Sequence, residues 1–270
     1  MKPTQWTDRY GATALVTGAS SGIGEQFASL LAAKGFDLLL TARREPLLLS
    51  LKERLEREHG TSVSCFVCDL SELEQVDALV ERARSLEVGL IISNAGYGVA
   101  KGGFLAVSRD EQEAMYRANS LAPARIAHAL LPMMIARKRG GFIFTGSIEG
   151  DAVFPWSASY AASKAFLHSL VMALWYEVQG SGVDVLLLAP GSTDTSAPLN
   201  QGISRDQLVG VMSPAAVAQQ ALDRLGRQPH FTPGLHNRLF MGLLRLLPKK
   251  LAIAMAGYGM KRALEKSTVG

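Results

Sequence analysis

A chain of 270 residues with 48% hydrophobic and 19% charged positions has the apolar content of a packed core, which excludes a disordered protein. Its net charge of +4 comes from 28 basic and 24 acidic side chains, scattered until the C-terminal residues Arg238, Arg245, Lys249, Lys250, Lys261 and Arg262, too diffuse for a nucleic-acid footprint. The first ten residues lack the apolar region of a signal peptide, and no charge-free apolar run reaches the ~18–20 residues that cross a bilayer, so a cytoplasmic location is expected.

Short apolar runs alternate with longer amphipathic stretches along most of the chain, the pattern of βαβ units building a parallel sheet. Strands are predicted over 12–17, 37–41, 62–67, 89–93, 141–146 and 183–189, with a short one near His230. Helices are predicted over 23–34, 45–59, 73–85, 109–138, 158–179 and 214–226. The implied fold is α/β: a Rossmann-type doubly wound parallel sheet of about seven strands, with helices on both faces and a C-terminal helical extension. One dinucleotide-binding domain over 1–270 is expected. Residues 192–212, polar and turn-rich, form the expected substrate loop, and residues 234–270 the extension, broken at Pro248. Cys65 and Cys68 have the spacing of a redox or metal pair, but in a strand this offset sends them to opposite faces. The five histidines have no metal-ligand spacing, so no metal is expected.

Gly18, Ser20, Ser21, Gly22, Ile23 and Gly24 follow the first strand and open the first of the predicted helices. Glycines there permit a tight turn close to a pyrophosphate, and the helix N-terminus supplies amide donors to the anion. About 20 residues beyond such a turn, an acid marks NAD and an arginine the 2′-phosphate of NADP. Arg43 and Arg44 occupy that position, with no carboxylate before Glu45, so NADP(H) is chosen as cofactor. The third strand ends in Asp69 and Leu70, the fourth in Asn94, Ala95 and Gly96. Asp69 can bond an adenine or cap the next helix; Asn94 can touch cofactor or brace its strand.

Tyr160 and Lys164, four apart in a predicted helix, share one face. A nearby ammonium favours phenolate, so Lys164 is expected to draw the Tyr160 pKa down and let the phenol exchange a proton with a substrate oxygen. Ser147, just past the fifth strand, can polarise a carbonyl. The glycine turn, Asn94-Ala95-Gly96, Ser147, Tyr160, Lys164 and Pro190-Gly191, in this order, resemble the short-chain dehydrogenase/reductase family over about residues 10–232.

The resemblance implies that Ser147 orients the substrate and that Tyr160 is general acid in reduction and base in oxidation. It implies that Lys164 also binds the nicotinamide ribose. Asn119 matches the family's fourth catalytic position, supporting a proton relay through water to the lysine. Pro190, Gly191, Thr193 and Thr195 match the segment holding the nicotinamide carboxamide. The glycine spacing and length are similar to the compact reductase branch, and the tail resembles steroid and 3-ketoacyl reductases.

Ile148, Val153, Phe154, Pro155 and Trp156 can wall a substrate pocket or simply pack their loop, with Glu149 and Asp151 as polar contacts; Leu199 and Ile203 suit a hydrophobic ketone. The expected activity is NADPH-dependent reduction of an apolar ketone or 3-ketoacyl carbonyl. The alternatives are an alcohol dehydrogenase working in oxidation, and a dinucleotide-binding sensor or scaffold with incidental turnover. The expected partners are a small-molecule substrate and a second or further copies of the chain, a homo-dimer or homo-tetramer built through the 109–138 and 158–179 helices. Nucleic acid is not expected. The C-terminal run can shield the pocket, pack on another subunit or rest on a membrane surface.

Overall fold

The structure is a computed structural model and describes residues 3–99, 102–197, 201–203, 208 and 210–267. Its strands are β1 (Thr13–Thr17), β2 (Asp37–Ala42), β3 (Val63–Val67), β4 (Leu90–Ser93), β5 (Gly140–Thr145), β6 (Val183–Leu188) and β7 (His230–Phe231). All pair in parallel, in the order β3-β2-β1-β4-β5-β6-β7. The winding reverses between β1 and β4, and in such sheets the crevice beyond the strands' carboxyl ends receives a ligand. Register aligns those ends: Thr17 pairs with Thr41, and Thr145 with Leu188.

The helices are α1 (Pro3–Tyr10), α2 (Gly22–Ala32), α3 (Glu45–His59), α4 (Leu73–Ser85), α5 (Arg109–Tyr116), α6 (Ala122–Ala136), α7 (Ile148–Asp151), α8 (Ala158–Glu177), α9 (Pro214–Arg224), α10 (Leu235–Leu246) and α11 (Lys249–Ser267). Alternate residues of each strand enter different cores. Val16, Leu40 and Leu186 pack with Phe27, Leu31 and Leu222 on one face; Leu15, Leu39 and Phe144 pack with Ile126 and Leu167 on the other. Strands buried on both faces read as continuous apolar runs, which is why the sequence shows no period of two here. Cys65 and Cys68 fall in opposite cores as free thiols. Burial raises both thiol pKa values, that of Cys68 to about 11, so both are protonated at neutral pH.

Several elements differ from the sequence reading, among them the short α7 in the expected loop after Ser147. The expected helix over 109–138 is interrupted by a π-helical turn, Arg117–Leu121, an insertion that apolar spacing does not reveal and that recurs at functional sites. The N-terminal α1 has no sequence signal of its own, since so short and polar a segment is unstable alone. It is held by docking. Trp6 and Tyr10 are buried, and Asp184 of β6 accepts hydrogen bonds from Arg9 Nε at 2.9 Å and the Tyr10 hydroxyl at 2.8 Å. Burial and the Asp184 carboxylate push the Tyr10 pKa far above its usual value. Among the described residues no helix is long and apolar enough to cross a membrane.

Candidate active site

A cavity of about 890 Å³ opens along the carboxyl ends of the strands. At its centre β1 leads into the glycine turn. Gly18 and Gly22 have φ of 67° and 61°, the left-handed region that favours glycine. A Cβ on Gly18 would lie 2.9 Å from the Ala95 backbone, and one on Gly22 would lie 2.9 Å from the Thr195 side chain. Both sites therefore bring backbone close to segments across the cavity. Ser20, Ser21 and Ile23 also line it. Gly24, expected at the cofactor, does not. A Cβ there would overlap the Gly18 carbonyl and crowd Asn94, so its role is to let α2 pack against its own turn.

The turn is fixed by Thr17, whose hydroxyl accepts from the amides of Asn94 at 3.0 Å and Ala95 at 2.9 Å, while the Asn94 side chain donates to the Thr17 carbonyl at 3.2 Å. Asn94 thus braces the strand ends and still faces the cavity, as do Ala95 and Gly96. At one end, Arg44 donates to the hydroxyls of Ser20 at 3.0 Å and Ser21 at 2.8 Å. Arg43 lies 3.7 Å from Asp69 and 5.6 Å over the Tyr97 ring. Asp69, with Leu70 on the cavity wall, accepts from the Ser71 amide and hydroxyl; the residue at the N-cap of α4 is Glu72. The two arginines are therefore not equivalent. Arg44 makes a cationic pocket with the glycine-turn serines, and Arg43 forms a flat wall with Tyr97.

At the opposite end, Ser147 caps the N-terminus of α7, its hydroxyl accepting from the Glu149 amide at 3.1 Å. Tyr160 and Lys164 lie one turn apart on α8, and all three line the cavity. Lys164 is buried, donates to the Thr145 carbonyl at 2.9 Å and sits 5.8 Å from the Tyr160 ring centre. Burial alone lowers its pKa to about 8. Burial raises the Tyr160 pKa well above that of a free phenol, the Glu149 carboxylate raises it further, and the hydrogen bond with Ser147 lowers it in part. The expected lysine-driven depression is not among the causes acting on Tyr160, and the Lys164 ammonium is itself destabilised by burial. Pro190, Gly191, Thr193 and Thr195 run along the same wall.

Asn119, in the π turn, is wholly buried and does not reach the cavity. It accepts from the Tyr97 amide at 3.0 Å and donates to the Tyr97 carbonyl at 2.8 Å and Ser163 at 3.0 Å. Of the loop after Ser147, Ile148, Glu149 and Phe154 face the cavity. Val153 and Trp156 are exposed, and Pro155 packs toward Gly257. Ile203 lines the cavity, while Leu199 lies outside the described residues. Phe240, Met255, Ala256 and Met260 complete an apolar end together with His236 and Asn237. A Cβ on Gly191 would lie 2.6 Å from the Asn237 amide, so Asn237 shapes this wall. Spacing exposed none of these contacts, because an amphipathic pattern gives a helix and not the surface it meets.

Asp151 faces away from the cavity. The fold gathers it with His168 and His230, whose ligand-type atoms lie within 4.8 Å of one another, a cluster that linear spacing of the histidines did not reveal. Arg245 Nη2 reaches the same carboxylate at 3.3 Å.

A parallel sheet wound in this order, with a glycine turn at the switch point and Ser147, Tyr160 and Lys164 on one cavity, defines a dinucleotide-binding oxidoreductase. Residues 12–207 match the family described as short chain dehydrogenase, and the chain belongs to the short-chain dehydrogenase/reductase family. It is 32% identical over 232 residues to a 7beta-hydroxysteroid dehydrogenase of Clostridium sardiniense, covering 86% of this chain and 88% of that one. It is 33% identical over 220 residues to a very-long-chain 3-oxoacyl-CoA reductase of Neurospora crassa, 80% of this chain but only 65% of that protein's length. A short-chain dehydrogenase from Sphingobium yanoikuyae, solved in complex with NADPH, superposes with a TM-score of 0.79 at 32% identity, over 87% of this chain and 96% of that one.

Proposed function

We propose that this protein reduces an apolar ketone or 3-ketoacyl carbonyl with NADPH, with Tyr160 as the general acid. The observation that carries the reading is one cavity lined at one end by Ser147, Tyr160 and Lys164 and at the other by Arg44 over Ser20 and Ser21. The residues fit the cofactor: Gly18 and Gly22, in the left-handed region, line the cavity in a tight turn at the start of α2, and an arginine with two hydroxyls suits a 2′-phosphate. Arg43 and Tyr97 would flank the adenine, with Asp69 and Leu70 beside it. Lys164, Asn94 to Gly96 and the 190–195 segment would hold the nicotinamide riboside. NADPH would supply the hydride.

This chain's own work is on the proton and on orientation. Ser147 would hold the carbonyl oxygen toward Tyr160, and the phenol would deliver its proton as negative charge develops there. A phenol whose pKa is held up keeps its proton at neutral pH, the form that a general acid in reduction requires. Lys164, largely protonated below its pKa of about 8, would stabilise the phenolate left behind. Asn119 would act without touching substrate. A Cβ on Gly96 would lie 3.0 Å from Lys164 Nζ and 3.1 Å from Asn119 Oδ1, so both groups border one backbone spot through which a water relay to Lys164 would run.

Phe154, Phe240, Met255 and Met260 support an apolar substrate, and the hydroxysteroid and long-chain oxoacyl relatives point the same way. In this reading the chain is one domain, with 192–212 as substrate loop and α10–α11 as its cover. It works in the cytoplasm as a homo-dimer or homo-tetramer, touching membranes at most peripherally. The test is binding of NADPH and NADH to purified protein, then loss of reduced-nicotinamide absorbance with a panel of apolar ketones, 3-ketoacyl thioesters and sugars. Tight NADPH binding with ketone-dependent oxidation is expected. Binding without turnover across the panel would return the weight to a nucleotide sensor.

A further inference from the structure

Ser147 sits on a turn bounded by two glycines, and one imidazole fills the space beside both. A Cβ on Gly146 would lie 2.8 Å from His168 Nε2, and one on Gly150 would lie 2.7 Å from the same ring. His168 is in turn oriented by Asp151, at the end of α7, whose Oδ1 lies 2.7 Å from His168 Nδ1. The other carboxylate oxygen lies 3.1 Å from His230 Nε2 on β7. Arg245 of α10 reaches Asp151 Oδ1 at 3.3 Å. Four elements thus meet on one carboxylate only 9% exposed. Burial alone would raise its pKa, but the two imidazoles overcome this and hold it well below the usual carboxylate range.

The same elements share apolar contacts. Phe154 and Ile148, beside Ser147, pack with Met241 and Leu244 of α10 and Ala256 of α11 in a cluster separate from the two main cores. That cluster forms part of the apolar end of the cavity, since Ile148, Phe154 and Ala256 line it. A buried carboxylate shared by three side chains draws the elements that bear them together, and neutralising it leaves His168 and His230 without their charged partner.

We propose that Asp151 is a positioning residue for the reaction: it locks the turn that carries Ser147 and, through Arg245, seats the C-terminal helices over the substrate end of the cavity. The proposal rests on the active-site reading above for its kinetic consequence, but its structural part is independent of turnover. It requires the Ser147 turn and the C-terminal cover to loosen together when the carboxylate is neutralised.

Two measurements on the full chain test it. In hydrogen exchange, Asp151→Asn should lose amide protection in both 146–151 and 235–262, and Arg245→Met should lose it in 235–262, with 13–24 unchanged in each. In kinetics, Arg245→Met, at a side chain 58% exposed and so tolerant of change, should raise KM for an apolar ketone about tenfold. Its kcat and NADPH affinity should stay within about twofold. Arg245→Lys should recover most of the KM, and Arg245→Met should add almost nothing on an Asp151→Asn background, as required of residues acting through one contact. Unchanged KM in Arg245→Met, multiplying losses in the double variant, or loosening of 146–151 without 235–262 in Asp151→Asn would each overturn the coupling. A wild type with no NADPH-dependent ketone turnover would sink the reductase reading instead, and the exchange result would then decide the coupling by itself.

Discussion

Arg43 and Arg44 are neighbours in sequence but meet different chemistry. Arg44 donates to two hydroxyls of the glycine turn, whereas Arg43 lies over an aromatic ring and beside a carboxylate. Charge-assisted bonds to a phosphate contribute ~1.5–3 kcal/mol. Arg44→Ala should therefore weaken NADPH binding by about 10–100-fold and leave NADH within about threefold. Arg43→Ala should weaken both nucleotides alike, by severalfold, as expected for a stacking wall. Titration by nucleotide fluorescence separates the two, and equal losses for NADPH and NADH in Arg44→Ala would remove the 2′-phosphate assignment. Lys164 gives a second test at this scale. Its folded pKa of about 8 lies below the free-lysine value of 10.5, so between those values the unfolded chain binds more protons and stability rises with pH. Relative to Lys164→Met, the nucleotide-free wild type should gain about 3 kcal/mol in denaturant unfolding between pH 7 and 10.5. A difference independent of pH would show that the ammonium is not desolvated.

Among the elements, α1 depends most on a single distant partner. Tyr10 is buried with its hydroxyl on Asp184, and Arg9 is bound to the same carboxylate but half-exposed. Asp184→Ala strands a buried hydroxyl, a loss of about 1–3 kcal/mol, while the screened Arg9 pair adds little. Denaturant unfolding should show that loss with NADPH affinity unchanged; an unaffected midpoint would mean that α1 is held by Trp6 packing alone. The strands and most helices were legible in the sequence because runs such as Leu38–Leu40 and Leu90–Ile92 are buried on both faces, and because glycines and polar residues mark where strands end. The π turn at Asn119 and the docking of α1 were not. Both are imposed by contacts between residues far apart in the chain, and neither leaves a periodic trace.

For the molecule as a whole, α8 is apolar nearly all round, which marks a helix buried on more than one side. Its inner face enters the sheet core, yet Phe166, Met172 and Tyr176 are exposed together with Ala162, Ala165 and Ala173. An apolar stripe at helical spacing is the surface that a second copy would cover. Light scattering at micromolar concentration should give a dimer or tetramer, and Phe166→Glu should shift it toward monomer. A monomeric wild type would contradict the assembly. On α10, Leu235, Leu239, Leu243 and Leu246 are also exposed beside Arg238 and Arg245. The candidate site was legible as far as strand ends and motif spacing reach: Ser147, Tyr160, Lys164 and the arginine pair. Asn237 and Phe240 were hidden, because they come to the site from a segment whose pattern gives a helix and not a direction, and the Asp151 cluster was hidden because its members stand far apart in the chain.

The most direct test of the account is the rate of NADPH oxidation with an apolar ketone, at saturating cofactor, in the wild type and in Tyr160→Phe. If Tyr160 gives the proton, the variant should bind NADPH with near-normal affinity and lose turnover by at least about 100-fold. Turnover within a few fold of the wild type would take the general acid away from Tyr160 and with it the reaction proposed for this cavity.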